Sequence, residues 1–225
     1  MTSTRQPSIE APRLLLATGN AGKVREIREL LAETGWRCLT PAEAGLGPLE
    51  VIETGRSYLE NAVRKAVAHA RASGLPALAD DSGVEVDALE GRPGVLSARF
   101  GGASVGSDAE RTALLLRALE GVPRGLRTGR FRAVVALALP GGQTIVREGT
   151  LEGWITEAPR GASGFGYDPV FELPDGRTVA ELGAEKQEIS HRAQAVRAMI
   201  SVLQELAQEN PRDRPHSTDL PHASG

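Results

Sequence analysis

Short apolar runs that alternate with stretches of helical periodicity constrain the fold of this chain most strongly. The run from Arg13 to Thr18 ends at Gly19 and Asn20, which is the pattern of a buried strand. A helix should follow, because apolar residues then recur at helical spacing until Gly35. These residues are Val24, Ile27, Leu30 and Leu31. The segment from Trp36 to Thr40 is a candidate second strand.

The same alternation continues along the chain. Ser57 followed by Glu60 is a capping box that begins a second helix, and a second box, Ser107 with Glu110, begins another. Between these helices, the segment from Ala77 to Asp80 is predicted to be a short strand that ends in an acidic pair. Strands separated by helices are typical of a sheet with crossover connections.

A predicted hairpin follows. Phe131 to Leu139 is a continuous apolar run, Gly141-Gly142 indicates a turn, and an alternating segment comes next. Two crossovers and one hairpin predict an α/β fold with a mixed sheet. Ser190 is predicted to cap a last helix. Its apolar face would be formed by Val196, Met199, Ile200, Leu203 and Leu206.

Length and composition exclude several classes of protein. The 225 residues are enough to bury a substantial core in one α/β domain. Cys38 is the only cysteine, so no intramolecular disulfide can form, and we expect a cytoplasmic protein. No apolar stretch is long enough to cross a membrane. The net charge of -3 argues against a nucleic-acid partner.

The basic and histidine residues outside the motifs have ordinary interpretations. A cluster of arginines beside Gly125 and Gly129 is interpreted first as a solvated loop that leads into a strand. These residues are Arg124, Arg127, Arg130 and Arg132. His69 is interpreted as a surface position, and the polar segment from Gln208 onward is predicted to be a disordered, dispensable tail.

Three segments carry chemistry. In the first, ATGNAGK, Lys23 is placed where a strand gives way to a helix. Because the beginning of a helix presents unpaired N–H groups and a partial positive charge, a glycine-rich entry followed by a lysine predicts a phosphate site. The spacing of a Walker A loop is missing. An ordinary loop with a solvated lysine therefore stays open.

The second segment is LADDSG, from Leu78 to Gly83. Adjacent carboxylates repel each other unless they share a cation or a proton, and Mg²⁺ is the simplest explanation. Because neighbouring strand residues point to opposite faces, only one of Asp80 and Asp81 should bind the metal directly. The alternative is an Asx turn with both acids in solvent.

The third segment is SHR, in which His191 and Arg192 occupy the first turn of the last helix. Cations are disfavoured there by about 0.3–1 kcal/mol, so their presence indicates a ligand that they bind. Upstream, GFGYDP offers an aromatic ring and a carboxylate suited to a planar base. The alternative there is a tight turn shaped by Gly166 and Pro169.

Together these motifs resemble the inosine triphosphate pyrophosphatase family, and they occur in family order. The matching segments are ATGNAGK at Ala17–Lys23, ETG at Glu53–Gly55, ENAxxKA at Glu60–Ala66, LADDSGVEVDALEGRPGVLSARF at Leu78–Phe100, GFGYDPVF at Gly164–Phe171 and the closing K…ISHR. The resemblance implies an elongated mixed sheet, with flanking helices that form two lobes around a central substrate cleft. It also implies a homodimer. The expected division is a flexible leader at 1–12, one two-lobed domain at 13–207 and a tail at 208–225.

The resemblance also implies a reaction: hydrolysis of ITP, dITP and XTP to the monophosphate and pyrophosphate, by attack of an activated water at the α-phosphorus. Glu53 and Asp81 would bind Mg²⁺, and Asp81 would accept the proton. The residues expected to bind substrate are Thr18, Gly19, Asn20, Ala21, Gly22, Lys23, Ser82, Phe165, Gly166, Tyr167, Asp168, Lys186, His191 and Arg192. Asn61 and Lys65 are further phosphate candidates on one polar helix face, which could instead be simply wet.

Three other activities stay open. The first is a pyrophosphatase for modified pyrimidine or standard nucleotides. The second is an aspartate-nucleophile phosphatase, although DDSGVEVD does not supply its DxD pattern. The third is a nucleotide sensor without turnover, which would gain little from carboxylates beyond those that its metal requires.

Overall fold

A six-stranded mixed sheet forms the centre of the computed structural model, which describes residues 11–49, 51 and 56–208. The strands are β1 (Arg13–Leu16), β2 (Arg37–Leu39), β3 (Ala77–Val86), β4 (Thr128–Ala138), β5 (Thr144–Ile155) and β6 (Phe171–Glu172). The helices are α1 (Ala21–Leu30), α2 (Tyr58–Ser73), α3 (Asp108–Ala118), α4 (Lys186–Ile189) and α5 (His191–Gln208). The predicted α/β class and the two-lobed mixed sheet are confirmed.

The strand order is β2-β1-β3-β4-β5-β6. β1 is parallel to both of its neighbours, and the remaining pairs are antiparallel. β1 pairs with β3 only at Ala77 and Leu78, whereas β4 follows β3 along its whole length. Beyond Leu78, β3 therefore loses its parallel neighbour and continues as part of the long antiparallel ladder.

Strand alternation distributes the core over the two faces of the sheet. On one face, Leu14, Leu78 and Val135 pack against α1 and α5. On the opposite face, Leu15, Ala79 and Val134 belong to the cluster that includes buried alanines of α2. Each of these side chains is at most 2 % exposed, so both faces of this half of the sheet are covered.

A second lobe covers the far end of the long strands. Val84, Val86 and Phe131 pack there with Leu115 of α3 and Phe171 of β6. Along one face of β3, Leu78 thus belongs to the first lobe and Val84 to the second. The residues between them on that face, Asp80 and Ser82, form the floor of the cleft between the lobes.

The helix beginnings follow the predicted caps. Ser107 and Glu110 form a complete capping box. The Ser57 hydroxyl accepts the Glu60 backbone N–H, but the Glu60 carboxylate accepts the backbone N–H of Arg56. The predicted reciprocal bond is therefore displaced by one residue. Ser190 caps α5 as predicted, since its hydroxyl accepts the N–H of Ala193.

Three expectations about side-chain exposure and the last helix were wrong. The Arg127 side chain is buried, because its guanidinium donates to the backbone carbonyls of Leu119, Val122 and Thr156, which lie just beyond the ends of α3 and β5. His69 is also buried, with Nδ1 beside the Lys65 carbonyl. Gln208, assigned to the tail, is the last residue of α5.

The rest of the predicted tail and residues 1–10 of the leader lie outside the described residues. None of the described helices is both long and apolar enough to cross a membrane.

Candidate functional site

The acidic pair lies in the middle of a strand, and not at its end as predicted. β3 continues through both acids to Val86, because each residue of the strand pairs with β4, Asp80 with Val135 and Asp81 with Val134. The alternative of an Asx turn is therefore also wrong. The two side chains point to opposite faces of the sheet, as the strand pattern predicted.

Asp80 connects two cations, the partly buried Lys23 and the buried Arg192. Its Oδ2 lies 2.6 Å from Lys23 Nζ, and both carboxylate oxygens lie 3.3 Å from nitrogens of Arg192. The Ser82 hydroxyl donates to Asp80 and accepts from Arg192. Burial opposes ionisation of the Asp80 carboxyl, but Arg192 and Lys23 outweigh burial and hold its pKa well below the ordinary value. Asp80 is therefore ionised at neutral pH.

The segment Thr18–Lys23 leads from β1 into α1. Asn20 is the N-cap, and its side chain accepts the backbone N–H of Lys23 at 3.0 Å. Lys23 lies in the first turn of the helix, as predicted. One helix N–H is therefore satisfied by the chain itself, and the ammonium of Lys23 supplies positive charge at the same place.

Glu26 joins Lys186 and Arg192 into one cluster of the cleft. Its Oε1 lies 2.6 Å from Lys186 Nζ, and its Oε2 lies 2.5 Å from Arg192 Nη1. Lys186 also donates to Asp168 Oδ2 at 2.7 Å. Asp168 in turn accepts the backbone N–H of Phe165 at 2.8 Å. Every side chain of this cluster is buried, so these bonds fix the positions of both cations.

Aromatic rings form two walls beside the cluster. Lys186 Nζ lies 4.7 Å and Arg192 Cζ 5.4 Å from the centroid of the Phe165 ring. The Phe165 ring also approaches α1 so closely that a Cβ at Gly22 would lie 2.6 Å from it. A glycine is therefore required at Gly22 for the two lobes to meet as they do.

His191 stacks on Phe131, with ring centroids 4.8 Å apart. Burial, followed by the nearby Arg192, lowers the pKa of His191 well below its ordinary value, so the imidazole is neutral. Within the described part of the chain, its buried Nδ1 has no hydrogen-bond partner. Such an atom is available to a ligand.

These groups enclose a cavity of about 260 Å³. The lining includes most of the side chains that were expected to enclose a base, among them Phe165, Tyr167, Asp168, Lys186, His191 and Arg192. Asn20 and Lys23 line its edge, next to a wider cavity of about 1110 Å³. The wider cavity is lined by Thr18, Gly19, Asn20, Ala21, Lys23, Lys65, Asp81 and Ser82, together with residues of the segment from Thr40 to Val51.

Asp81 faces the wider cavity from the other side of the sheet. Asn61 Nδ2 donates to its Oδ2 at 3.1 Å, and Lys65 Nζ lies 3.1 Å from its Oδ1. The helix face that carries Asn61 is buried against Asp81, so the alternative of a wet face is wrong. Burial raises the pKa of Asp81, although Lys65 and Lys23 act in the opposite direction.

The expected second metal ligand, Glu53, lies outside the described residues. Among the described residues, no group of three or more His, Cys, Asp or Glu side chains forms a metal cluster. The carboxylate of Asp81 nevertheless opens onto the wide cavity. Mg²⁺ commonly binds one or two carboxylates together with waters and substrate phosphates. The donor set present therefore fits Mg²⁺ bound jointly with a phosphate ligand.

Sequence reasoning missed four residues of the site. Glu26 lies beside the apolar positions of α1 and one helical turn after Lys23, but an acid at such a position is as common on a solvated helix face, and its partners Lys186 and Arg192 are distant in the chain. Asp108 and Arg111, which line the base-sized cavity, resemble ordinary first-turn residues of a capped helix. Phe131, the stacking partner of His191, was assigned only to a strand. These contacts depend on how the lobes meet, which local patterns do not determine.

Known proteins that are similar to this chain in sequence and in fold belong to one family. The model of the Ham1 family matches residues 14–202. The dITP/XTP pyrophosphatase of Thermus thermophilus is 50% identical over 195 residues, which is 86% of this chain and 92% of that protein. The dITP/XTP pyrophosphatase of Geobacillus kaustophilus is also 50% identical over 195 residues, with 86% of this chain and 95% of that protein covered.

Solved structures of similar sequence have the same fold. A HAM1 protein from Coxiella burnetii has a TM-score of 0.77 and 41% identity, over 86% of this chain and 99% of that one. A protein from Mycobacterium abscessus, described as a nucleoside-triphosphatase and dITP/XTP pyrophosphatase, has a TM-score of 0.66 and 40% identity. That match covers 85% of this chain and 98% of the other.

Proposed function

Because the chain belongs to the Ham1 family, we propose that it hydrolyses non-standard purine nucleoside triphosphates, such as ITP, dITP and XTP, to the monophosphate and pyrophosphate. Relatives about half identical over most of the chain are named dITP/XTP pyrophosphatases. The observation that carries the proposal is the pair of adjoining cavities, one sized for a base and one wide and cationic, on either side of Lys23.

The triphosphate would lie in the wider cavity. Lys23 lies in the first turn of α1, and Lys65 approaches the same cavity from α2. A helix beginning with an added ammonium group favours a multiply charged anion. Thr18–Lys23 would hold the phosphates, with Asn61 and Lys65 beside the reacting phosphorus.

Asp81 would accept the proton from the attacking water. Its carboxylate lies in the phosphate cavity, and its raised pKa makes it a stronger base than an exposed aspartate. Attack at the α-phosphorus forms a new P–O bond and breaks the bond to the β-phosphate, so that pyrophosphate leaves. Asp81, with Glu53, would hold Mg²⁺. When bound, the metal would neutralise charge on the phosphate oxygens.

The smaller cavity would recognise the base through donors that are held in place. Lys186 donates to Glu26 and Asp168, which uses two of its three N–H groups. The guanidinium of Arg192 likewise bonds to Glu26, Asp80 and Ser82, so one of its five N–H groups is left. Hypoxanthine and xanthine present a 6-oxo acceptor to such donors, whereas adenine presents an amino donor.

Base choice follows from this arrangement. A site built to hydrogen-bond a substrate group can reject an analogue by about 10⁴ or more, because the wrong partner leaves buried polar groups unpaired. GTP keeps the 6-oxo group and must be distinguished at its 2-amino group. We further propose that the protein acts in the cytoplasm as a homodimer.

A nucleotide panel with product analysis tests the proposal. With Mg²⁺ present, ITP, dITP and XTP should each give the monophosphate and pyrophosphate, and excess EDTA should abolish the activity. ITP converted to IDP and orthophosphate would instead identify a phosphatase. Faster hydrolysis of pyrimidine or standard nucleotides would identify the related pyrophosphatase class, and binding without turnover would identify a sensor.

A further inference from the structure

Four cations line the base-sized cavity in the part of the chain that the structure describes. Lys23 belongs to the phosphate end, and Lys186 with Arg192 forms the buried cluster around Glu26. Arg111 is the fourth. It comes from the first turn of α3, in the second lobe, and it has no part in the proposed reaction.

The position of Arg111 is fixed by the loop that forms the aromatic wall. Its Nη2 lies 2.5 Å from Asp108 Oδ1, and the other oxygen of Asp108 accepts the backbone N–H of Gly166 at 2.8 Å. The Thr112 hydroxyl donates to the carbonyl of Gly166 at 3.3 Å. The first turn of α3 is thus attached to both backbone groups of Gly166, next to Phe165.

The guanidinium of Arg111 keeps donors for a ligand. It donates to Asp108 and, at 3.5 Å, to the carbonyl of Val105. A guanidinium has five N–H groups in one plane, so these two bonds leave three. The side chain is only 17% exposed, which makes a bond to a ligand more effective than a bond at an open surface.

From this geometry we infer that Arg111 is a specificity-determining residue that recognises the 2-substituent of the purine; the inference rests on the proposed function. The 2- and 6-substituents flank N1 on one edge of the base. A base that presents its 6-oxo group to Lys186 and Arg192 therefore turns its 2-substituent to another wall of the same cavity. Arg111, which comes from α3 in the second lobe, is the remaining cation of the cavity lining.

The purines differ at this position. Xanthine carries an oxo acceptor, hypoxanthine carries only hydrogen, and guanine carries an amino donor. A guanidinium bonds to the first, gains nothing from the second and opposes the third, because two donors then face each other. Arg111 therefore favours XTP and helps to exclude GTP, the standard nucleotide that shares the 6-oxo group.

The test compares the wild type with Arg111→Met, which keeps an unbranched apolar stem and removes the guanidinium donors. The values of kcat/KM are measured for XTP, ITP and GTP. We expect the XTP/ITP ratio to fall about tenfold or more, which corresponds to one hydrogen bond to a charged group, and the GTP/ITP ratio to rise. Arg111→Lys should restore part of the XTP/ITP ratio. Arg117→Met, at an exposed position of α3, is the matched control and should leave both ratios unchanged.

A purely structural role gives a different result. If Arg111 only holds the loop at Gly166, activity on XTP and ITP falls together and their ratio stays constant, which overturns the inference.

Dissociation constants for XMP and IMP, measured by calorimetry with the same variants, separate this inference from the proposed function. A wild type that binds these nucleotides without releasing pyrophosphate from any triphosphate contradicts the function, whereas an unchanged XMP/IMP ratio in Arg111→Met contradicts the role of Arg111.

Discussion

Asp80 and Asp81 are neighbours in one strand, yet they occupy opposite environments. Asp80 faces the cleft between the lobes, where Lys23, Arg192 and Ser82 satisfy both of its oxygens and its pKa is held down. Asp81 faces the wide cavity beside α2, and its pKa is raised. A carboxylate fixed among cations organises a site, whereas one that is poised at a cavity can take up a proton or a metal.

The largest expected effect is on turnover when Asp81 is changed. Asp81→Asn keeps the volume of the side chain but removes the proposed base and metal ligand, and loss of a general base alone typically lowers the rate by about 10²–10⁴. Steady-state kcat with ITP is the measurement, and a melting curve checks that the protein is folded. A folded variant with near-normal kcat would show that Asp81 is not the base.

Changing Asp80 should mainly affect stability. Asp80→Asn leaves Lys23 and Arg192 without their shared anion, and breaking a buried ion pair in this way costs about 3–5 kcal/mol. Urea unfolding measures the free energy. Asp87→Asn is the control, because Asp87 is an exposed carboxylate just beyond the same strand and should cost less than about 1 kcal/mol. If kcat fell more for Asp80→Asn than for Asp81→Asn in folded protein, the two roles would be reversed.

Base discrimination should weaken when Arg192 is changed. Arg192→Ala is expected to lower kcat/KM for ITP much more than for ATP, by about tenfold or more in the ratio, because the charged donor to the 6-oxo group is lost. Arg192→Lys keeps the charge of the cluster and serves if the alanine variant does not fold. Arg197→Ala, on the exposed side of α5, is the control. An unchanged ITP/ATP ratio would assign Arg192 to phosphate binding or to structure alone.

A smaller effect is expected on stability: His191 should lower the free energy of unfolding as the pH falls. Its pKa in the fold lies below 6.5, the value in an unfolded chain, so below pH 6.5 the unfolded chain binds a proton that the folded protein does not. This difference lowers the free energy of unfolding as the pH falls, by at most about 1.4 kcal/mol per pH unit. His191→Gln should therefore lose less stability than the wild type between about pH 7 and pH 5, as measured by urea unfolding. Equal losses would mean that His191 is not buried as a neutral ring.

Local patterns predicted the elements of this fold well. Helical periodicity and the serine caps located α2, α3 and α5, and the run ending at Gly141-Gly142 located the hairpin of β4 and β5. These features are decided within a few neighbouring residues, where spacing and capping act. The predicted end of β3 was wrong, because pairing with β4, a partner distant in the chain, extends the strand.

Most residues of the candidate site were predicted from the sequence, but the contacts between them were not. The motifs identified Lys23, Lys186 and Arg192, and the structure brings all three to one cleft. Glu26, which bonds to two of them, and Arg111, which approaches from the other lobe, follow only from the packing of separate elements. Their side-chain types are common on helices, so no local rule distinguishes them.

Hydrolysis in water enriched in oxygen-18 tests the central claim most directly, namely that water beside Asp81 attacks the α-phosphorus. The protein is incubated with ITP and Mg²⁺ in labelled water, and the products are examined by mass spectrometry. The label should appear in IMP, with none in the pyrophosphate. Label in pyrophosphate and unlabelled IMP would place the attack at the β-phosphorus and contradict the account.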